Sequence, residues 1–163
     1  MPAITIITPF VPSDRIFLER AFRSIESQST KDWEWIISED GPTESAREVA
    51  EWDSRITWIN SGRNSGPAVA RNMAAVMAKS DIVRNLDADD EIAGTETIEK
   101  TINAFNEDPG IQFAVGPVID RLENGELKTF SDQIEPGIIR QNSLFEFWKK
   151  IIASELSIRP ASP

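Results

Sequence analysis

Apolar residues along the chain fall into short β-branched runs that alternate with stretches of helical spacing. The run Ala3-Ile4-Thr5-Ile6-Ile7-Thr8, stopped by Pro9, predicts a buried strand. Pro12-Ser13-Asp14 offers a cap, and after it Leu18, Ala21, Phe22 and Ile25 share one helical face. Residues 33–38 predict a second strand, ended by Glu39-Asp40-Gly41-Pro42. Thr43 is placed to cap a short helix through Trp52, and residues 56–59 predict a third strand. Gly66-Pro67 opens the next helix with Pro at its first position, where a missing N–H costs nothing. Val69, Met73, Val76 and Met77 are its expected buried stripe. Residues 81–86 predict a fourth strand, followed at its carboxyl end by Asp87-Ala88-Asp89-Asp90. Ile98, Ile102 and Phe105 mark a helix broken by Pro109-Gly110, and residues 111–115 predict a fifth strand.

The pattern then changes. Residues 118–122 and 126–130 flank Asn124-Gly125, a strong hairpin signal. A last helix is predicted from Ser143, with Ser143 and Glu146 as a capping box and Leu144, Trp148 and Ile151 on one face. Repeated strand–helix units imply parallel strands joined by right-handed crossovers, hence a three-layer α/β sandwich with a mostly parallel, Rossmann-like sheet. Residues 1–116 make the α/β core, and residues 117–163 add a hairpin and a helix within one domain overall. Ligands of such sheets bind outside the carboxyl ends of the strands. Thr8-Pro9, Glu39-Asp40 and residues 87–90 all fall there.

Composition narrows the chemistry. Seventeen Lys and Arg against 27 Asp and Glu leave a formal charge of −10 over 163 residues. A chain that acidic repels a phosphate backbone, so no nucleic-acid partner is expected, and any polyanionic ligand needs a bridging cation. Without Cys there is no disulfide, thiolate nucleophile or Cys-based zinc site. Without His there is no Ser-His-Asp triad, so acid–base work falls to carboxylates, Lys or water. Absence of Cys suits a cytoplasmic protein. No apolar run approaches a membrane span, so a soluble protein is expected, with peripheral association at the inner face of a membrane still open to it.

Three clusters carry candidate chemistry. In Asp87-Ala88-Asp89-Asp90 three carboxylates within four residues repel one another, and a divalent cation would relieve this. Asp87 and Asp89 point to the same side in extended geometry, which suits a metal and a ribose side by side. The alternative is a solvated acidic turn in which Asp90 or Glu91 complements a helix dipole. An EF-hand is excluded, since Ile92 and Ile98 occupy its glycine and glutamate positions. In the run Asn64-Ser65-Gly66-Pro67-Ala68-Val69-Ala70-Arg71-Asn72 small residues allow close backbone approach, and Arg71 can reach a phosphate or base. An ordinary capped helix with a surface Arg is the alternative. In Glu39-Asp40-Gly41 an acid can accept a hydrogen bond from a base N–H, or simply end a β-to-α turn. No P-loop and no GxGxxG occurs.

Together these clusters are far more specific. A first strand ending Thr8-Pro9-Phe10, then Glu39-Asp40-Gly41, the Asn64 to Asn72 run and Leu86-Asp87-Ala88-Asp89-Asp90 resemble, in order and spacing, the family-2 glycosyltransferases of the A-type fold. The match covers roughly residues 3 to 92. It implies that Thr8 and Pro9 line a nucleotide pocket and that Asp40 or Glu39 reads the base. Arg71, with the backbone near Asn64 and Gly66, would hold the nucleotide. Asp87, beside Ala88, would sit near the ribose, and Asp89, with Asp87 as a second candidate, would bind Mn²⁺ or Mg²⁺ at the diphosphate. The implied reaction is inverting transfer from a nucleotide-diphosphate sugar, a UDP-sugar above all. The hydroxyl acceptor would be a glycan, a lipid-linked sugar or a small molecule, in glycan or polysaccharide synthesis.

Glu39 and Pro42 stand where the family more often has Asp and Ser, and Asn85 where an apolar residue is usual. Family members continue into an acceptor-binding segment that holds the catalytic carboxylate, and no residue here is assigned that role. The carboxylates Asp120, Glu123, Glu126, Asp132 and Glu135 lie in or beside the hairpin, which reads as exposed. The tail Arg159-Pro160-Ala161-Ser162-Pro163 reads as a cut, so a fragment that binds donor without appreciable transfer is expected. A noncatalytic nucleotide-sugar-binding or assembly module is the competing class. A nucleotidyltransferase would want a Gly-rich, basic loop after the first strand, which residues 10–15 do not supply.

Overall fold

The structure, a computed structural model, describes residues 1–116, 118–122 and 124–129. They fall into two units, Met1–Asp108 and one that begins at Pro109. The first unit holds β1 (Ile4–Phe10), α1 (Leu18–Glu26), β2 (Trp33–Glu39), β3 (Ile56–Asn60), α2 (Pro67–Met77), β4 (Val83–Asn85) and α3 (Thr97–Glu107). The four strands form one parallel sheet in the order β3-β2-β1-β4. This is the α/β architecture that strand–helix alternation predicts.

The central pair explains the apolar runs. All residues of β1 and β2 are buried, and they pair without a slip from Ile4↔Trp33 to Phe10↔Glu39. Strand alternation sends Ile4, Ile6, Phe10, Trp33, Trp35 and Ile37 to a large core with α1 and Ile98 of α3. Ile7 and Ile36 face the other way, onto Ala74 of α2. β1 runs through Pro9 rather than stopping before it. Ladder bonds to β4 come from odd-numbered residues of β1: Thr5 N donates to Ile82 O, and Ile7 O accepts from Leu86 N. β4 has ended by the level of Pro9, so its missing N–H breaks no ladder bond.

Several expectations need correction. The stripe of α2 is rotated: Ala70 and Ala74 are its buried residues, while Val69, Val76 and Met77 are exposed. Small side chains let α2 lie close on the sheet, and apolar size misled the assignment. The helix expected from Thr43 to Trp52 is a 3₁₀ turn at Arg47–Glu51, because Thr43 and Ser45 turn their donors onto Glu39 instead of starting a helix. Residues 111–115 form no strand, and Phe113 and Val115 are exposed.

The second unit contains the expected hairpin, β5 (Ile119–Arg121) antiparallel to β6 (Leu127–Thr129). Gly125 turns it at φ 82°, and its N–H donates to Leu122 O. Both strands are exposed. The helix expected from Ser143, with Glu146, Leu144, Trp148 and Ile151, lies outside the described residues, as do Glu123, Asp132 and Glu135.

Two buried polar groups tie the first unit together. Glu34 accepts from Thr5 Oγ1 (2.7 Å) and Lys79 N (2.7 Å), and pairs with the Lys79 ammonium at 3.2 Å. Burial alone would raise its carboxyl pKa, but these hydrogen bonds and the Lys79 charge pull it below the usual range. Gln28, 1% exposed, donates to Ser24 O and Gly94 O and accepts from Ile98 N in the first turn of α3. Gln28→Leu should therefore cost about 1–3 kcal/mol, the penalty of leaving buried backbone groups unpaired. Val76→Ser, at an exposed helix position, should stay within about 0.5 kcal/mol of wild type. Urea denaturation of both variants checks the contrast.

Candidate functional site

The carboxyl ends of β1, β2 and β4 open onto a cleft of about 330 Å³ lined by Pro9, Phe10, Val11, Asp14, Asp40, Pro67, Arg71, Asp87, Ala88 and Asp89. A larger hollow of about 500 Å³ lies against α1, lined by Glu19, Phe22, Arg23, Glu26 and Trp52. It gathers none of the candidate groups, and Arg23 there is paired with Glu19. The smaller cleft sits where a parallel sheet binds its ligands.

Each wall of the cleft has a local cause. Asp40 is 3% exposed, and its backbone N–H donates to Phe10 O at 2.7 Å, continuing the β1–β2 ladder past the strand end. Its carboxylate accepts from Ser65 N (2.6 Å) and Gly66 N (2.8 Å), so the end of β2 holds the entry to α2. Each of those oxygens keeps a second lone pair for a ligand donor. Gly66 takes φ 90° at the N-cap, where a side chain would be strained, and Pro67 starts the helix as the sequence predicts.

The acidic run closes a β-turn, with Asp90 N donating to Asp87 O at 3.1 Å, and is not extended. Ala88 is 2% exposed and packs in the core, which pins the turn while Asp87 and Asp89 line the cleft. Arg71, one turn into α2, donates to Asp87 Oδ1 at 2.7 Å. Both side chains are partly exposed, 33% and 48%, so solvent screens the pair and its worth is modest. Asp14, Asp40, Asp87 and Asp89 thus face a single guanidinium across one cleft. Among the described residues no three acidic side chains converge into a preformed metal cage.

The structure separates the candidates. Pro9, Asp40, Arg71, Asp87, Ala88 and Asp89 line the cleft; Thr8, Glu39, Asn64 and Gly66 are not among its lining residues. Strand alternation accounts for two of these. Thr8 is fully buried on the α1 side, its hydroxyl accepting from Trp35 Nε1 at 2.8 Å. Glu39 is fully buried on the same side, accepting from Thr43 Oγ1, Ser45 N (3.0 Å), Ser45 Oγ (2.8 Å), Ala46 N (3.3 Å) and Trp58 Nε1 (2.9 Å). Asn64 is exposed on the loop before α2. Asp14 escaped sequence reasoning because it reads as a helix cap. Arg20 escaped it too: α1 brings its guanidinium to Asp89 O at 2.8 Å and to Glu91 at 3.0 Å.

A parallel α/β sheet with this acidic turn at its carboxyl edge is the architecture of the A-type glycosyltransferase fold. The sequence pattern of Glycosyl transferase family 2 matches residues 5–155, and the chain belongs to that family. An uncharacterized glycosyltransferase of Haemophilus influenzae is 29% identical over 161 residues, covering 95% of this chain and 64% of its own. The putative teichuronic acid biosynthesis glycosyltransferase TuaG of Bacillus subtilis is 36% identical over 94 residues, 55% of this chain and 37% of its own. The chain thus spans less than two thirds of these relatives' length. Among solved structures, S. aureus TarS 1-349 in complex with UDP-GlcNAc aligns with TM-score 0.58 and 21% identity, over 66% of this chain and 32% of its own. The mannosyltransferase PcManGT of Pyrobaculum calidifontis, in complex with GDP-Man and Mn²⁺, aligns with TM-score 0.59 and 23% identity, over 68% and 34%.

The Glu39 carboxylate yields a pH prediction. Burial works to raise its pKa, but hydrogen bonds from Thr43, Ser45 and Trp58 outweigh it and hold the group below its ordinary 4.5. A carboxyl depressed in the folded state stabilises the fold fully above its unfolded pKa, and that contribution is lost as pH falls through the folded value. Glu39→Gln, which turns an amide toward ring and backbone donors, should lose roughly 1–3 kcal/mol at pH 7. The loss should shrink progressively below pH 4.5, the ordinary value from which the group is lowered. Urea midpoints measured between neutral and strongly acidic pH give the comparison.

Proposed function

We propose that the cleft binds the nucleoside diphosphate of a sugar donor and that the protein acts in inverting transfer of that sugar to a hydroxyl during glycan or polysaccharide synthesis. The observation that carries this is the meeting of Pro9, Asp40, Arg71, Asp87 and Asp89 on one wall-to-wall surface at the carboxyl edge of a parallel sheet. Family membership supports the reaction class. The UDP-GlcNAc and GDP-Man held by the two structural neighbours support the ligand class.

In this reading Asp40, rather than Glu39, accepts from the base, since it has free lone pairs on the cleft side while Glu39 is spent on the 43–46 loop. Pro9 gives the base an apolar wall, and Arg71 holds the nucleotide. Asp87 serves the ribose and Asp89 a divalent cation, with Asp87 as a second candidate. The donor set fits Mg²⁺ or Mn²⁺: hard oxygens, too few for a cage, as these ions take one or two carboxylates plus phosphates. Such an ion, when bound, neutralises the departing diphosphate. Four carboxylates against one guanidinium would otherwise repel it. Among the described residues Asp120 and Glu126 sit on an exposed hairpin, so this chain is proposed to bind donor while lacking a positioned base for rapid transfer. Among the described residues no helix is long and apolar enough to cross a membrane. A cytoplasmic site, with peripheral contact to a membrane carrying a lipid-linked acceptor, suits the reading.

Calorimetry with UDP and with GDP, each with Mn²⁺ and with chelator, tests it. UDP should bind more tightly with Mn²⁺, and Asp89→Ala should remove that dependence. Equal affinity with metal and with chelator would sink the cation bridge. Arg71→Ala should weaken nucleotide binding by about 1–3 kcal/mol, the worth of a charge-assisted hydrogen bond, with little change in melting temperature. Unchanged affinity with a lower melting temperature would make Arg71 structural.

A further inference from the structure

Arg20 and Ser24 of α1 and Gln28 just past its end form a row at four-residue spacing. All three address one segment that begins in the acidic turn. The Arg20 guanidinium donates to Asp89 O at 2.8 Å, pairs with Glu91 at 3.0 Å and lies over the Phe17 ring at 5.5 Å. Ser24 Oγ accepts from Ile92 N at 3.0 Å. Gln28 Nε2 donates to Gly94 O at 2.6 Å, and Gln28 Oε1 accepts from Ile98 N at 3.0 Å. The row therefore grips residues 89, 91, 92, 94 and 98 in sequence order, as the rungs of a ladder.

We infer that Arg20 is a positioning residue for the cation-binding carboxylate, acting through Asp89 without touching the ligand. Asp89 lines the cleft while its carbonyl is held by Arg20 of α1. A planar fork can hold a carbonyl and a carboxylate at once, which fixes the plane of the turn as well as its distance. Its charge also offsets the repulsion among the acids of the turn before any cation arrives. Ser24 and Gln28 anchor the chain downstream, so motion left in the turn is hinged at its Asp89 end, where Arg20 acts. The assignment rests on the donor-and-cation reading above.

The test uses the 163-residue chain, with UDP and Mn²⁺ as probes in calorimetry and chelator as the reference. Arg20→Gln should cut the affinity gained from Mn²⁺ by about tenfold, the usual scale for groups that orient a metal ligand. UDP affinity in chelator and the melting temperature should stay near wild type, since the Arg20–Glu91 pair is partly exposed. Hydrogen exchange at the Asp90 and Ile92 amides should quicken. Glu91→Gln, a milder change, should shift the Mn²⁺ gain the same way by less, and Arg20→Lys should recover part of it. Wild-type Mn²⁺ dependence in both Arg20→Gln and Glu91→Gln, with Asp89→Asn abolishing it, would overturn the positioning role and leave the donor reading standing. A wild-type chain indifferent to Mn²⁺ would overturn the donor reading and this assignment with it.

Discussion

The site depends on one constraint, the unbroken parallel pairing of β1 with β2. Seven successive register pairs, all buried, lock the two strands so that Phe10 and Glu39 end level with each other. The ladder bond from Asp40 N to Phe10 O then sets Asp40 beside the start of the turn after β1. Asp40 in turn holds Ser65 and Gly66, and this places the start of α2, with Arg71 one turn in, over the same edge. On the far side of β1, β4 pairs in register and delivers Asp87. A slip of one residue between β1 and β2 would exchange the two faces of each strand. Glu39 would then be turned into the cleft and Asp40 into the core.

Burial and hydrogen bonding, more than strand face, decide how an acidic chain carries its charge. Its carboxylates divide into two populations, one buried and hydrogen-bonded, the other open to solvent. Glu34 and Glu39 lie inside and act as acceptors for loops that cross the sheet ends, each surrounded by enough donors to stay ionised despite burial. Such groups are costly unless every lone pair is used. Asp87 and Asp89 lie on an open turn, where solvent and Arg71 share their charge. Asp40 belongs to both populations, buried like the first and facing the cleft like the second.

Much of this was legible in the sequence. Order of strands and helices, the hairpin at Asn124-Gly125 and the gathering of the three polar clusters at one sheet edge followed from period, turn chemistry and the family resemblance. What escaped was facing. The run Thr8-Pro9 and the pair Glu39-Asp40 each put one residue on either side of the sheet, and only Pro9 and Asp40 of these four line the cleft. The stripe of α2 was misplaced because close packing on a sheet favours Ala70 and Ala74 over larger Val69, Val76 and Met77. Arg20 carried no local signal: its partners are about seventy residues away, brought near only by the packing of α1 beside the chain that follows β4.

The turn at Asp87 to Asp90 is held from both layers of the sandwich. Arg71 reaches it from α2 and Arg20 from α1, but they grip different parts. Arg20 takes a backbone carbonyl, and so leaves the side-chain oxygens of the turn to a ligand. Arg71 takes a side-chain oxygen of Asp87, a contact that an incoming cation or phosphate competes for directly. The free energy of breaking the Arg71–Asp87 pair is small, because both groups are partly exposed. On the proposed reading, a phosphate would offer the guanidinium an acceptor of higher charge once a cation covers the aspartates. The two arginines thus differ by bond type, and on the proposed reading one sets where the turn lies while the other is free to follow the ligand.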